Sequence, residues 1–302
     1  MSNHRLPAAV ALLAAVTALG CSTGAAPTGA PTSGPSGTPV GSAPAPLIDG
    51  ISHPTGATDV VLRFDEAGGF VPVEFLAAHV PYFTLYGDGS VVFVQTSANV
   101  QPAEDGISRG YPLRTGKLTE AQVQDLLEFA LRDGGLAIAK AEYQNPLVAD
   151  APTAIFEVNA DGGKKKVSVV ALGMEGEQGP DTAIKASMAK LGERLRDFDR
   201  GGTLSSAAFA PAGYRAVLMD ASGGGSGPAR PWPWPSLTLD DFSFPPDPSA
   251  LQQGTRVLSP DELAAIGVEG LENGVQSGLT VTGPDKKPYT LVIRPLLPDE
   301  TG

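Results

Sequence analysis

Between residues 58 and 200 the hydrophobic positions recur with two different periods, and each period predicts a different element. Segments 58–66 (TDVVLRFDE) and 71–77 (VPVEFLA) lie on either side of Ala67-Gly68-Gly69, which predicts two strands around a turn. Tyr82–Tyr86 and Val91–Val94 flank Gly87-Asp88-Gly89-Ser90. An Asp-Gly step between β-rich runs predicts a hairpin. A loop is expected through residue 116. Thr119-Glu120-Ala121-Gln122 then reads as a capping box. The helix it opens places Val123, Leu126, Leu127, Ala130 and Leu131 on one face, and Gly134-Gly135 ends it.

The same order repeats. Ala154, Phe156 and Val158 alternate with their neighbours, Asp161-Gly162-Gly163 turns the chain, and Val167, Val169 and Ala171 return it. A second helix is expected from about Asp181 to Asp199, with Ile184, Met188, Leu191, Leu195 and Phe198 in one stripe, stopped by Gly201-Gly202. The predicted fold class is α+β: an antiparallel sheet built from two strand-strand-helix units with both helices on one face. A β-rich C-terminal extension follows.

That extension has its own pattern. Tyr214–Met219 reads as a strand and 221–229 (ASGGGSGPA) as a loop. Pro231-Trp232-Pro233-Trp234-Pro235 is held extended by its prolines. Ser259-Pro260-Asp261-Glu262 is a helix start with a Ser cap and Pro at the first helical position. Leu279–Val281 and Tyr289–Ile293 form a last hairpin around Gly283-Pro284-Asp285. The expected organisation is a signal peptide over 1–20, a lipidated Cys and linker over 21–46, an α+β domain over 47–202, and an extension or subdomain over 203–302.

The N-terminal pattern differs from all of this. Arg5 precedes an apolar run from Ala8 to Leu19. A dozen apolar residues are too few for a bilayer core of about 30 Å, so the run reads as a cleavable targeting element. Cys21 is the sole cysteine, and it follows Thr17-Ala18-Leu19-Gly20. Small and apolar residues before that Cys resemble the lipobox of bacterial lipoproteins, which implies acylation of Cys21 and cleavage before it. Two acyl chains make a stable anchor. Residues 22–46 contain only Ser, Thr, Gly, Ala and Pro apart from Val40. Such a stretch is expected to be a disordered spacer, reaching roughly 25–30 Å at 5–6 Å × √n.

Charge and composition narrow the function classes. The chain has 21 basic and 33 acidic residues. Loss of Arg5 with the signal leaves 20 against 33, or −13. That balance argues against nucleic acid and against a basic patch on anionic lipid. With Cys21 acylated, no cysteine remains for a disulfide.

The search for chemistry eliminates more than it finds. Beyond the signal only His53 and His79 remain, with no HExxH, CxxC or EF-hand pattern, so neither metal nor cofactor is expected. His79, beside a predicted strand, reads as a partly buried, hydrogen-bonded histidine rather than a general base. Ser187-Met188-Ala189-Lys190 fits S-x-x-K, and Ser97-Ala98-Asn99 and Arg114-Thr115-Gly116 approximate its companion motifs, but S-x-x-K comes last along the chain where those enzymes place it first. GYPLRTGK at 110–117 has the wrong spacing for a phosphate loop and lacks the final Ser or Thr. The carboxylate pairs Glu104-Asp105 and Asp240-Asp241 read as solvated loop charges. Lys164-Lys165-Lys166 reads as a solvated strand edge. Trp232 and Trp234, the only tryptophans, are the candidate ligand-contacting residues, set against a reading in which they strap the sheet.

The strings GGFVP, FTLYGDGSVVF, KLTEAQVQDLLEFAL, GGLA, VADAPTAIFEV and VSVVALG resemble a group of uncharacterised lipoproteins of high-GC bacteria, over roughly residues 60–200. The resemblance implies an envelope lipoprotein and carries no catalytic residues. The expectation is a non-enzymatic lipoprotein, anchored to the cell membrane through Cys21 on the extracytoplasmic side, with a binding domain for a protein or saccharide. A cleft bringing His79 to both a carboxylate and a Ser or Thr hydroxyl would overturn it. The alternatives are an envelope hydrolase using two carboxyls across a cleft, and an inhibitor or chaperone-like module that adds a strand at a free edge.

Overall fold

The computed structural model describes residues 50–98, 103–174, 179–198, 204–224, 228–247, 250 and 252–300. Cys21, the signal and the spacer lie outside the described residues, as do Asn99 and Gly201-Gly202. In chain order the elements are β1 (Val60–Gly68), α1 (Val73–Ala77), β2 (Phe83–Tyr86), β3 (Ser90–Val94), β4 (Ser108–Arg109), β5 (Leu113–Lys117), α2 (Glu120–Leu131), β6 (Glu142–Tyr143), β7 (Pro152–Ala160), β8 (Gly163–Val170), α3 (Thr182–Arg196), β9 (Ser206–Ala208), β10 (Tyr214–Asp220), β11 (Arg230–Pro231), β12 (Gln253–Leu258), α4 (Pro260–Ala264), β13 (Val275–Ser277), β14 (Thr280–Thr282) and β15 (Pro288–Pro295). Strand outweighs helix, 33% against 17%, and both sheets are mixed, so the class is α+β with a β-rich balance.

The first sheet has eight strands in the order β6-β8-β7-β1-β2-β3-β5-β9. Its antiparallel hairpins follow local chemistry. Asp161 and Gly162 both take positive φ, 50° and 73°, which is the two-residue turn that matches strand twist between β7 and β8. Residues of one parity point to one face. Leu62 and Phe64 of β1, Phe83 and Leu85 of β2, and Phe156 and Val158 of β7 share one core with Val123, Leu126 and Leu127 of α2 and Met188, Leu191 and Leu195 of α3. α2 starts where the sequence predicts: Thr119 Oγ1 accepts from the Gln122 amide and the Gln122 side chain returns to the Thr119 amide.

The second sheet has seven strands, with β11-β14-β15-β10-β12 in order and β13 linking β15 to β4. One face buries Ala216, Leu218, Leu291 and Ile293 under Trp234, Phe242 and Ile266. On the other face Val217, Met219 and Val292 meet Val73, Ala77 and Ala78 of the α1 segment.

Several expectations need correction. Residues 71–77 do not form a strand. Gly68 and Gly69 both adopt positive φ and end β1, and the chain then enters α1 directly after Pro72. The loop expected through residue 116 contains β4 and β5, and β5 pairs with β3 and β9. β12 was not expected at all. The sheets are not purely antiparallel, because β6 pairs parallel to β8 and β11 parallel to β14.

The two ends of the first sheet differ in character. At one end the chain enters from the preceding residues. There Ile51 exchanges two bonds with the Gln124 amide side chain, Asp161 N–H donates to Ser52 O, and Gly87 N–H donates to Asp59 O. The far end lies beyond Gly68, Pro152 and Val170, where Phe70 N–H donates to Asp150 O and Ala171 N–H to Pro152 O. The nine residues of β1 separate these ends by roughly 30 Å. A clamp joins the sheet to the tail that follows β15. Arg63 Nη2 donates to both Asp299 oxygens at 2.7 and 2.8 Å, and Tyr86 OH donates to Asp299 at 2.8 Å. Beside it, Arg294 grips Glu300 with two bonds of 2.6 and 2.8 Å.

Candidate functional site

The far end gathers apolar surface. Of the eight large hydrophobic side chains exposed among the described residues, seven belong to it and only Ile138 does not. Phe70 is 91% exposed and Leu76 47%; Val71, Phe75, Tyr111, Leu147 and Met174 complete the set. The helical period explains α1. Val73 and Ala77 lie one turn apart and pack on the second sheet, which turns Phe75 and Leu76 outward. The order of the loops explains the rest, since Leu147, Asp150 and Met174 all sit where β7 starts and β8 ends.

Next to α1 a cleft of about 250 Å³ opens between the sheets. Phe75, Leu76, Tyr82 and Tyr111 give it an apolar wall, and Glu66, His79, Asn273 and Gln276 supply polar groups. Asp65 and Glu66, consecutive on β1, project to opposite faces. Asp65 pairs with His79 Nε2. Glu66 pairs with Arg196 of α3, whose guanidinium lies 5.5 Å from the Phe64 ring centroid and 5.7 Å from that of Tyr82. Burial, and then the Glu66 charge, push the Tyr82 hydroxyl above its ordinary range.

The cleft sets an apolar wall beside a carboxylate-paired imidazole. A carboxylate-oriented imidazole is part of a nucleophilic triad, but the lining has no Ser, Thr or Cys to act as nucleophile. Its hydroxyls are those of Tyr82 and Tyr111, and the first is shifted away from the reactive phenolate. Every described carboxyl that is displaced from its ordinary range moves downward, among them Asp88, Asp105, Glu262 and Glu300. A glycosidase acid requires the opposite displacement.

Of the residues singled out by sequence, His79 lines this cleft, as do Gly110 and Tyr111 of the 110–117 segment, and the others do not. Trp232 and Trp234 lie on the second sheet with ring centroids 5.1 Å apart and edge to face. Trp234 is 3% exposed and donates its indole N–H to Glu262 O at 2.7 Å; Trp232 is half-buried and donates to Leu237 O at 2.9 Å. Their polar atoms are committed to the fold, which is the geometry of a strap. Ser187 packs beside Gly135, and Lys190 is exposed on α3. In the failed phosphate loop, Lys117 is paired with Asp88 at 2.7 Å.

A larger, open cavity of about 510 Å³ lies on the face of β1, β7 and β8 that the helices do not cover. Lys164, Lys165 and Lys166 line it with Glu157 and Asp299. Its charges are largely internal: Lys166 pairs with Glu157 at 3.0 Å, Lys165 Nζ donates to Ala137 O, and Asp299 holds Arg63. The same lysines flank the length of β8 that β6 leaves unpaired, a charged edge that disfavours strand addition.

The apolar far end was missed because FVPVEFLAA reads as strand and core. The signal that reveals it is Pro72 with Glu74 in the first turn, a helix start that breaks the strand pattern. Compared with protein-family models, curated proteins and solved structures, the chain gives no match to any.

Proposed function

We propose that this protein is a lipid-anchored, extracytoplasmic binding protein of a bacterial envelope, akin to lipoproteins of high-GC bacteria and without enzymatic activity. The acyl group on Cys21 holds it to the cell membrane, the 22–46 spacer lifts the domain, and a protein or saccharide docks at the far end. Residues 58–200 are read as two strand-strand-helix units, supported by the hairpins β2–β3 and β7–β8, each with a helix later in the chain: α2 beyond β4 and β5, and α3 after β8. One observation carries the functional reading: among the described residues, seven of the eight exposed large hydrophobics collect at the end opposite Gly50. Soluble monomers rarely expose such clustered apolar surface without a partner for it.

Two measurements test the proposal in cells. Metabolic labelling with an alkynyl palmitate is expected to mark the full chain and to be lost with Cys21→Ala, which also leaves the membrane fraction. A photo-crosslinking amino acid at Leu76 is expected to yield a discrete adduct that the same probe at exposed Lys190 does not. An unlabelled wild-type chain refutes the anchor, and indistinguishable patterns at the two positions refute the binding surface.

A further inference from the structure

We infer that the far end receives a cationic, apolar protein segment, one in which an aromatic or branched aliphatic side chain is neighboured by Lys or Arg. This rests on the binding reading above and adds the chemistry of the partner. Hydrophobic character alone would suit a lipid surface equally well, so the charges decide. Seven charged or titratable groups matter here. Asp65 is hydrogen-bonded to His79, and the Glu66 carboxylate is neutralised by the Arg196 guanidinium. Glu74 of α1 and exposed Asp150, whose carbonyl holds Phe70, have no ionic partner among the described residues. Arg109, which leads into the Gly110-Tyr111 wall, is already tied to Asp105 at 2.9 Å and to Glu269 O at 2.8 Å. The uncompensated charge around the apolar side chains is therefore negative.

That sign excludes two occupants. Elements that insert into membrane interfaces carry Lys and Arg toward anionic headgroups; here Glu74 adjoins Phe75 on α1 and Asp150 is bonded through its carbonyl to Phe70, on a chain of net charge −12. The described chain also starts, at Gly50 and Ile51, at the opposite end of β1, roughly 30 Å away. A second copy would bring the same two carboxylates against themselves. A basic segment satisfies both requirements. Its apolar anchor enters the cleft between Phe75, Leu76 and Tyr111, where the Asn273 and Gln276 side chains offer hydrogen bonds to its backbone. Its cations approach Glu74 and Asp150.

The test uses the full-length protein reconstituted in nanodiscs and panned against a random-peptide phage library after subtraction on empty nanodiscs. Enriched peptides are expected to combine an aromatic or branched apolar residue with nearby Lys or Arg. As synthetic peptides they should lose about tenfold or more in affinity to Leu76→Asp. They should weaken several-fold with Glu74→Gln plus Asp150→Asn, and again on raising salt to about 0.5 M. Leu76 is exposed, so thermal denaturation of Leu76→Asp should match wild type and separate lost binding from lost fold. Peptides that depend on Leu76 but carry no basic residues and ignore salt overturn the partner chemistry and leave the binding reading standing. Flotation with phosphatidylcholine vesicles containing phosphatidylglycerol, abolished by Leu76→Asp, overturns it in favour of a membrane. A dimer in sedimentation velocity that Leu76→Asp dissolves overturns it in favour of self-association. No Leu76-dependent binding of any kind overturns both readings.

Discussion

Replacing Asp299 with Ala removes the carboxylate that Arg63 and Tyr86 share. The Arg63 and Asp299 side chains are only 18% and 17% exposed, so the guanidinium left behind cannot be fully rehydrated. Breaking a fully buried pair costs about 3–5 kcal/mol. The exposed fifth of this pair lets water recover part of that, which brings the charge contribution to roughly 2–3 kcal/mol. The Tyr86 hydroxyl, in a residue with no exposed surface, loses its acceptor at a further cost of about 1 kcal/mol. The sum is about 3–4 kcal/mol, which for a domain of this size lowers Tm by roughly 6–16 °C. Urea denaturation monitored by far-UV circular dichroism gives the free energy, and calorimetry gives Tm. The double variant Arg63→Met/Asp299→Leu removes both charges and should recover more than half the loss. A change below about 0.5 kcal/mol in Asp299→Ala, or a double variant as unstable as the sum of the singles, refutes the reasoning.

Three further outcomes are expected. The Arg109 guanidinium and the Ile107 amide hold the Asp105 carboxyl down to about 2, so its contribution is complete above about pH 4 and disappears as pH falls through about 2; amide exchange at β4 and β13 should quicken across that window, and uniform exchange there would contradict the link. Gly89 has φ +84° and would place a Cβ 2.7 Å from Leu118 O, so Gly89→Ala should cost roughly 2–3 kcal/mol, checked by chemical denaturation; a neutral substitution would show that the β2–β3 turn relaxes freely. Trp234→Phe leaves Glu262 O without its indole donor and should cost about 1–3 kcal/mol with a changed near-UV spectrum, whereas unchanged stability would mean the strap contributes nothing.

What could be read in advance was local. Thr119-x-x-Gln122 and Ser259-x-x-Glu262 carry their capping chemistry within four residues, and both boxes form. Asp161-Gly162 dictates its own turn. Residues 71–77 were misread because a five-residue helix has too few positions to show its period, and its apolar side chains face water as well as protein. Leu113–Lys117 and Gln253–Leu258 carry little pattern of their own and become strands through partners, β3 and β9 in one case and β10 in the other. The far end draws on segments near residues 66–82, 110, 150, 172 and 275, none of which is distinctive alone. His79 was noticed, but its carboxylate partner sits on a strand that only the fold brings beside it.

The position of β1 has a mechanical consequence. The chain arrives at Gly50, is fastened at Ile51, Ser52 and Asp59, and then runs straight into a strand flanked on both sides by antiparallel neighbours. Tension applied through the preceding residues therefore acts along the axis of β1. It loads the ladders to β2 and β7 in shear, many hydrogen bonds at once, rather than peeling them one by one. A domain pulled from that side resists as a unit, while the cleft beside α1, beyond the other end of β1, lies off the line of load.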